Sequence, residues 1–504
     1  MALSGRFEKY LDTIEPLASE KEVDNRKQIL RDIQKIVNKW VQQVSKDQGF
    51  TNDALRTACG KVFTFGSFRL GLITPSSDID TLVVAPKHIS RDDFFGSLLP
   101  ILEQNKDVSE LSGVPDAIVP IIKMKFRDVE VDLTFARLNL GVIDSKLEDL
   151  KSNDLLKHLD EKTVRSINGT RVADDLLFVV PNPSTYRTVL RFIRNWAKKR
   201  GLYSNAMGFF GGITWAILSA RVCQMYPNYT PLQICNKFFL VFSRWNWSNP
   251  VTLCPITQSG EVGLMGFKIW NPRINKSDKY HLMPIITPSF PCMNSTYNVT
   301  ETTRRILISE FSRGCEILAK FSKEDVEFNI LNELTISPPF LSLFSHYFVV
   351  DVVCQTENAY NKLKGFVESR IRMLLKSLES PNSGQLKFSR PWPKEFDLDQ
   401  SHCCWLIGLS FDSEAALCDL RPSITSFHEK LNEWSEKENY ATEASVRLFH
   451  TSRRSPFMIS LIGQNKNALY NQQVLEWLSS REDAQEVPEV TKKRKIIIDV
   501  GNDI

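Results

Sequence analysis

The run Asp78-Ile79-Asp80 constrains this chain more than any other feature, because of its company. Just upstream lies Phe65-Gly66-Ser67-Phe68-Arg69-Leu70-Gly71, and a third aspartate follows in Val129-Glu130-Val131-Asp132-Leu133. In an extended strand, residues i and i+2 face the same side, so Asp78 and Asp80 project together. Carboxylates held that close repel, and a divalent cation is the natural way to stabilise them. Magnesium prefers carboxylate oxygens and retains water and phosphate ligands. Two such ions can activate an attacking hydroxyl and stabilise a leaving pyrophosphate. The Gly-Ser turn offers backbone N–H groups and a hydroxyl to a phosphate. A lone Asp-x-Asp is most often a solvated strand end. The signal is the order: Gly-Ser, then Asp-x-Asp on an apolar strand, then an Asp on a second apolar strand.

That order resembles the DNA polymerase β-like nucleotidyltransferases. The resemblance narrows over Phe63 to Gly71, Asp78-Ile79-Asp80-Thr81-Leu82-Val83-Val84-Ala85-Pro86, Val119-Pro120-Ile121-Ile122-Lys123 and Ile167-Asn168-Gly169-Thr170-Arg171-Val172. Leu202-Tyr203-Ser204-Asn205, Gly211-Gly212-Ile213-Thr214-Trp215-Ala216 and Met283-Pro284-Ile285-Ile286-Thr287-Pro288 continue it. These long, collinear segments are similar to eukaryotic, nuclear-type poly(A) polymerases, densely over residues 1 to 330 and more loosely beyond.

The resemblance implies an α+β multidomain fold. A nucleotidyltransferase mixed α/β catalytic domain, a helical middle domain and a C-terminal RNA-recognition-like α/β sandwich are expected. The expected divisions are an N-terminal helical segment over 1–35 packing with the middle domain, then 36–181, 182–337 and 338–475, and a polar, basic tail over 476–504. Composition agrees without identifying anything. The 504 residues suffice for two or three domains, and a net charge of +4 says little about nucleic acid. Ten cysteines, single except Cys403-Cys404, show no paired zinc spacing and read as reduced thiols. No stretch is long and apolar enough to span a membrane.

Helical periodicity runs through the first forty or so residues, with Leu30, Ile33, Ile36 and Val37 on one side. A helical segment is expected near Asp92 to Gln104. Asn182 and Pro183 open a helix that Gly201 closes. On it Arg187, Arg191, Arg194 and Lys198 form a basic stripe, part of which is expected to face phosphate. Residues 206 to 224 read as one buried helix, in which Gly211-Gly212 permits either close ligand approach or tight packing. From Phe344 the pattern predicts a β-α-β-α-β order: strands over Tyr347–Cys354, Cys404–Phe411 and Val446–His450, helices over Ala359–Leu378 and Ile424–Trp434. No RNP1-like octapeptide signals base stacking by this sheet. Lys362, Lys364, Arg370, Arg372 and Lys376 are the local candidates for RNA contact. The cluster Lys492-Lys493-Arg494-Lys495 reads as an import signal.

Carried over residue by residue, the resemblance makes Asp78, Asp80 and Asp132 the metal-binding catalytic triad for two Mg2+ (or Mn2+) ions. Phe65, Gly66 and Ser67 form the nucleotide-phosphate turn. Tyr203, Asn205, Gly211, Gly212 and Ile213 lie beside the nucleotide, with Ile213 against the adenine. Lys123 contacts nucleotide and primer, and Asn168 contacts the primer's terminal adenosine. Where the family has a lysine, Ile193-Arg194-Asn195-Trp196-Ala197 carries Arg194, which keeps the charge in a planar fork. The implied activity is template-independent transfer of AMP from ATP to an RNA 3′-hydroxyl, in mRNA polyadenylation in the nucleus. The implied partners are RNA 3′ ends, ATP and the pre-mRNA cleavage and polyadenylation factors, with a monomeric catalytic subunit. Two alternatives stay open: a transferase adding uridine or CCA or making 2′-5′ oligoadenylate, and an inactive RNA-binding scaffold.

Overall fold

The computed structural model describes residues 2–115, 117, 119–256, 266–320, 329–379, 386–411, 417–464 and 495–497. Two helices open the chain, α1 (Ala2–Ile14) and α2 (Glu20–Asp47), where periodicity alone suggests one. Pro16 cannot continue a helix, and Ser19 restarts it through a reciprocal cap with Glu22. The helices part company. Phe7 of α1 meets the Phe192 ring of the middle domain at 5.4 Å. From α2, Ile29, Ile33, Val37 and Trp40 pack on the catalytic sheet. The 1–35 segment therefore does not pack with the middle domain as one unit; only α1 does.

The catalytic region continues through α3 (Asn52–Thr57), β1 (Lys61–Thr64), α4 (Gly66–Leu70) and β2 (Ile79–Ala85). The expected segment near 92–104 is α5 (Arg91–Asp93), one π-helical turn (Phe94–Leu98) and α6 (Leu99–Glu103). Then come β3 (Val108–Val114), β4 (Ile121–Phe126) and β5 (Val129–Arg137). The strands lie in the order β1-β2-β5-β4-β3. Only β2 and β5 are parallel. Alternation then divides the residues between two faces. Ile79, Val83, Ile122, Val131 and Leu133 face α2. Leu82, Val84 and Ala136 face the opposite way, onto Val164 and Ile167 of α7 (Glu161–Val179).

The middle region holds α8 (Pro183–Lys199), α9 (Gly212–Met225), α10 (Pro231–Ser243), α11 (Glu301–Ala319) and α12 (Asn329–Thr335). Asn182 caps α8 by accepting from the N–H groups of Ser184 and Thr185. Trp196 anchors the core, with the rings of Trp215, Phe239 and Phe311 at 5.7, 4.8 and 6.0 Å. The apolar run 206–224 is not one helix. Residues 204–211 turn tightly, with Gly208 at φ 79°, and α9 begins at Gly212. Burial makes the whole run apolar, so composition cannot reveal the break.

The last region holds α13 (Phe340–Leu343), β6 (His346–Cys354), α14 (Glu357–Leu378), β7 (Leu386–Pro391), β8 (Phe396–Asp399) and β9 (His402–Phe411). It continues with β10 (Leu417–Asp419), α15 (Arg421–Asn432), β11 (Ala444–Ser452) and α16 (Pro456–Gln464). The antiparallel sheet runs β11-β6-β9-β7, with β8 also on β9. The β-α-β-α-β pattern missed β7 and β8, which are short and flanked by Pro391 and Pro393. Proline lacks a ladder donor and is tolerated at such edges. One sheet face packs on α14 and α15 through Phe348, Val350 and Val352. The other is covered by Phe340, Leu341, Met458 and Leu461, so the face an RNA-recognition fold uses for base stacking is closed by apolar side chains. Lys495–Ile497 forms β12, parallel to β10; Lys492, Lys493 and Arg494 lie outside the described residues.

Candidate active site

The acids come together through strand register. Asp80 of β2 is paired with Asp132 of β5, and Asp132 with Lys123 of β4. Three adjacent strands thus present Asp80, Asp132 and Lys123 side by side, on the face that meets α7. Asp78 lies two residues before Asp80 and joins the same ledge. Oxygens of Asp78, Asp80 and Asp132 all fall within 4.8 Å of one another. Lys123 Nζ lies 3.7 Å from Asp132 Oδ2. Burial, with repulsion from Asp78 and Asp132, pushes the Asp80 carboxyl up to about 7 against the pull of Arg194 and Lys123. Burial also raises Asp132, which Lys123 partly offsets. Three partly buried carboxylates with so little countercharge fit a divalent cation. Such oxygen donors suit Mg2+ or Mn2+.

The glycine of the Gly-Ser turn is demanded by the acids. Gly66 sits at φ 59°, and a Cβ there would lie 1.9 Å from Asp80 Oδ2. The Phe65 N–H donates to the Asp80 carbonyl at 3.1 Å, tying the turn to β2. Its ring packs on α7, where a Cβ on Gly169 would meet it at 3.1 Å. Arg69 grips Asp174 of α7 with two hydrogen bonds of 2.6 and 2.9 Å. The short α4 is therefore anchored at both ends, and Ser67 is held in its first turn. The Arg69–Asp174 clamp joins residues 105 apart, and periodicity gives no signal for it.

The middle region brings Arg194 and Tyr203 to the acids. Burial raises the Tyr203 phenol, while the charge of Arg194 and a hydrogen bond with it act in the opposite direction. Asp78 and Asp80 also act on Tyr203, so Arg194 and Tyr203 belong to the acid site. Gly212 lies beneath the Tyr203 hydroxyl, where a Cβ would fall 2.6 Å from its oxygen. Gly211, which precedes α9, packs against Asn205 at 3.3 Å on the same measure. Neither glycine lies within a helix interior; both make room for the Tyr203 and Asn205 side chains at the helix start. Ile213 follows, 37% exposed. Among the described residues, Asn205 Oδ1, Asn168 Oδ1 and Arg194 Nε are buried without a hydrogen-bond partner.

The basic stripe of α8 does not act as one surface. Arg187 donates to the Leu70 carbonyl at 2.8 Å. Arg191 donates to the Glu15 carbonyl and pairs with Asp12 at 2.8 Å. Lys198 sits 3.6 Å from Glu15 and 5.7 Å from the Tyr203 ring centroid. Three of the four cations thus hold α1 and α4, and Arg194 alone interacts with the acids. Helical spacing put all four on one face but could not say what that face meets. The α14 stripe divides in the same way: Lys362 pairs with Glu436, Lys364 with Glu395, Arg370 lies over the Phe366 ring and Arg372 donates to Asn298.

A mixed sheet bearing three clustered acids beside a Gly-Ser turn defines a nucleotidyltransferase-type site. Family models bear on it directly. That for the poly(A) polymerase nucleotidyltransferase domain matches residues 1–180, that for the central domain 185–333, and that for the predicted RNA binding domain 339–404. "Nuclear poly(A) polymerase 1" of Arabidopsis thaliana is 40% identical over 458 residues, covering 89% of this chain and 62% of the relative. "Poly(A) polymerase" of Dictyostelium discoideum is 41% identical over 445 residues, covering 86% of this chain and 54% of the relative. A solved structure of Cid1, titled for its RNA terminal uridylyl transferase activity, aligns at TM-score 0.45 and 14% identity over 67% of this chain and 99% of that one. That likeness is too slight to argue from. The chain belongs to the poly(A) polymerase family. It spans 62% and 54% of the length of these two relatives.

Proposed function

We propose that this chain is a template-independent poly(A) polymerase that transfers AMP from ATP to the 3′-hydroxyl of RNA and releases pyrophosphate. The observation that carries the reading is the cluster of Asp78, Asp80, Asp132 and Lys123, with Arg194 and Tyr203 of the middle region close enough to act on its charges. The names of the relatives support adenylate as the unit transferred. We propose the catalytic region up to about residue 181 with α2 included, the middle region to about 337 and the C-terminal region to about 475 as the working domains.

Asp78, Asp80 and Asp132 would hold two divalent cations, Mg2+ or Mn2+. Bound there, such ions supply charge neutralisation and polarise phosphoryl oxygens. The chain's own residues do the rest. Gly66 and Ser67 bind nucleotide phosphate through backbone N–H and hydroxyl groups, and Phe65 braces the turn. Arg194 pairs with the triphosphate, and Tyr203 donates its phenol to a phosphate or sugar oxygen. Asn205 and Ile213 accommodate the base. Lys123 and Asn168 hold the RNA end, so that its hydroxyl lies in line with the α-phosphorus. Asp132 orients that hydroxyl and takes up its proton as the new P–O bond forms and the bond to pyrophosphate breaks. Acceleration comes from positioning and charge stabilisation. Nucleus-located action on pre-mRNA 3′ ends, alongside cleavage and polyadenylation factors and as a monomeric catalytic subunit, completes the proposal.

Primer extension of an oligo(A) RNA with each NTP separately, in Mg2+ or Mn2+, tests it. Long extension is expected with ATP alone, in linkages cut by a 3′-5′ exonuclease. Preference for UTP or CTP, or 2′-5′ linkages, would assign the chain to a sister activity. No incorporation under any condition would make it a scaffold.

A further inference from the structure

We propose that Arg372 of the C-terminal region is a positioning residue for the ATP pocket, acting through Asn298. This rests on the assignment of Asn205 to that pocket. Asn298 is 4% exposed and lies between the two. Its amide nitrogen donates to the Asn205 carbonyl at 3.1 Å, and its amide oxygen accepts from Arg372 Nη1 at 2.5 Å. Both partners agree on one amide orientation, since only the oxygen can serve a guanidinium donor.

The turn this relay holds is tight. The Asn205 carbonyl also accepts from the Gly208 N–H at 3.2 Å. A Cβ on Gly208 would lie 2.9 Å from the Asn298 carbonyl oxygen. The Asn205–Gly208 turn and Asn298 therefore shift together. The same α14 makes a second contact nearby: Glu379, just past its end, accepts from the N–H groups of Glu301 and Thr302 at 3.1 and 2.9 Å. These N–H groups open α11, where carboxylate is favoured. Arg372 of α14 and Glu379 just past its end thus bracket residues 298–302, which hold the backbone from which Asn205 projects. The Asn205 side-chain oxygen is itself buried without a partner, so the direction it points is set by this backbone.

The stripe expectation gives Arg372 another task, contact with RNA phosphate. Its hydrogen bond to a buried amide of the middle region argues for the relay instead. The C-terminal region then forms part of the ATP site without touching ATP, and its docking sets nucleotide affinity.

The test measures KM for ATP, kcat at saturating ATP, oligo(A) affinity and Tm in Arg372→Ala, Arg372→Lys, Asn298→Ala and the double alanine variant. Loss of a charge-assisted hydrogen bond corresponds to about tenfold. Arg372→Ala should raise KM for ATP by about that factor, with kcat and oligo(A) affinity within about twofold. Arg372→Lys should recover part of the loss, and the double variant should be no worse than the worse single. An unchanged KM, or weaker oligo(A) binding at unchanged KM, overturns the relay; so does additivity of the two changes. Equilibrium binding of ATP to the same variants keeps the test independent of turnover. If the native chain incorporates no AMP yet Arg372→Ala still weakens ATP binding, the relay stands and the polymerase reading falls.

Discussion

Asp80 concentrates the chemistry of this site, because the strand pairing that brings it to Asp132 also withdraws it partly from water. Its carboxyl stands near 7, above the ordinary 3.8. In metal-free protein the folded state holds this proton to higher pH than the unfolded chain does. The linkage sign follows: stability falls as pH rises from about 4 to about 7 and levels off above. Asp80→Asn should therefore raise the Tm of chelator-treated protein at pH 8 and flatten its pH dependence, while Mg2+ or Mn2+ should stabilise the native chain and not the variant. A native chain whose Tm ignores metal at pH 8 would count against the cation site. Asp132→Ala should nearly abolish AMP incorporation. Glu130→Ala should keep it, since Glu130 is exposed and not one of the clustered acids. Gly66→Ala tests the turn. It places a methyl against Asp80 and forces a left-handed backbone costing ~1–2 kcal/mol, so activity should fall as far as for Asp132→Ala with circular dichroism little changed.

For whole elements, the decisive fact is what each charged face meets. Helix α14 looks like a phosphate-binding stripe by spacing, yet Lys362 and Lys364 already face Glu436 and Glu395. Paired cations release few counterions on binding RNA. Replacing both lysines by glutamine should leave the salt slope of oligo(A) affinity changed by well under the roughly 1.4 expected if each contacted a phosphate. Filter binding across a salt series measures it. A slope reduced by that full amount would restore the stripe as an RNA surface. Helix α8 obeys the same logic: of its stripe, Arg187, Arg191 and Lys198 bind α1 and α4, and Arg194 lies by the acids.

Across the whole molecule, a buried charge cluster joins the middle and C-terminal regions. Glu310 accepts two hydrogen bonds from Arg200, at 2.9 and 2.7 Å, and one from Arg313 at 3.0 Å. Arg390 of β7 donates to the Arg200 carbonyl at 3.2 Å. Burial raises the Glu310 pKa, but the Arg200 hydrogen bonds and charge outweigh it, and the net shift is downward. A depressed carboxyl contributes stability above its unfolded pKa, near 4.5, and loses it as pH falls through the folded value. Glu310→Gln leaves three arginines without their acid. Removing one partner of a buried pair costs about 3–5 kcal/mol, so the variant should unfold at markedly lower denaturant at pH 7. The difference from the native chain should shrink in acid. Equal midpoints at pH 7 would mean the cluster is solvated.

Local order determined much of this protein. Asp80 and Asp132 were legible because strand alternation is a property of the backbone, whatever surrounds it, and the Gly-Ser pair and Asp78 were legible from their order before them. The strong helices and the three main strands of the C-terminal region were legible for the same reason, through apolar period. Alternation could not supply the register that sets Asp80 beside Asp132 and Lys123, since register depends on which strands meet. Nor could it show the break before Gly212, because burial makes turn and helix equally apolar there. The edge strands β7 and β8, the separate docking of α1 and α2, and the partners of Arg187, Arg191 and Lys198 on α8 and of Lys362, Lys364 and Arg372 on α14 were decided by tertiary packing. Asn298 illustrates the limit most sharply. It lies 93 residues from Asn205 and 74 from Arg372, and its importance comes entirely from the contacts that folding brings together.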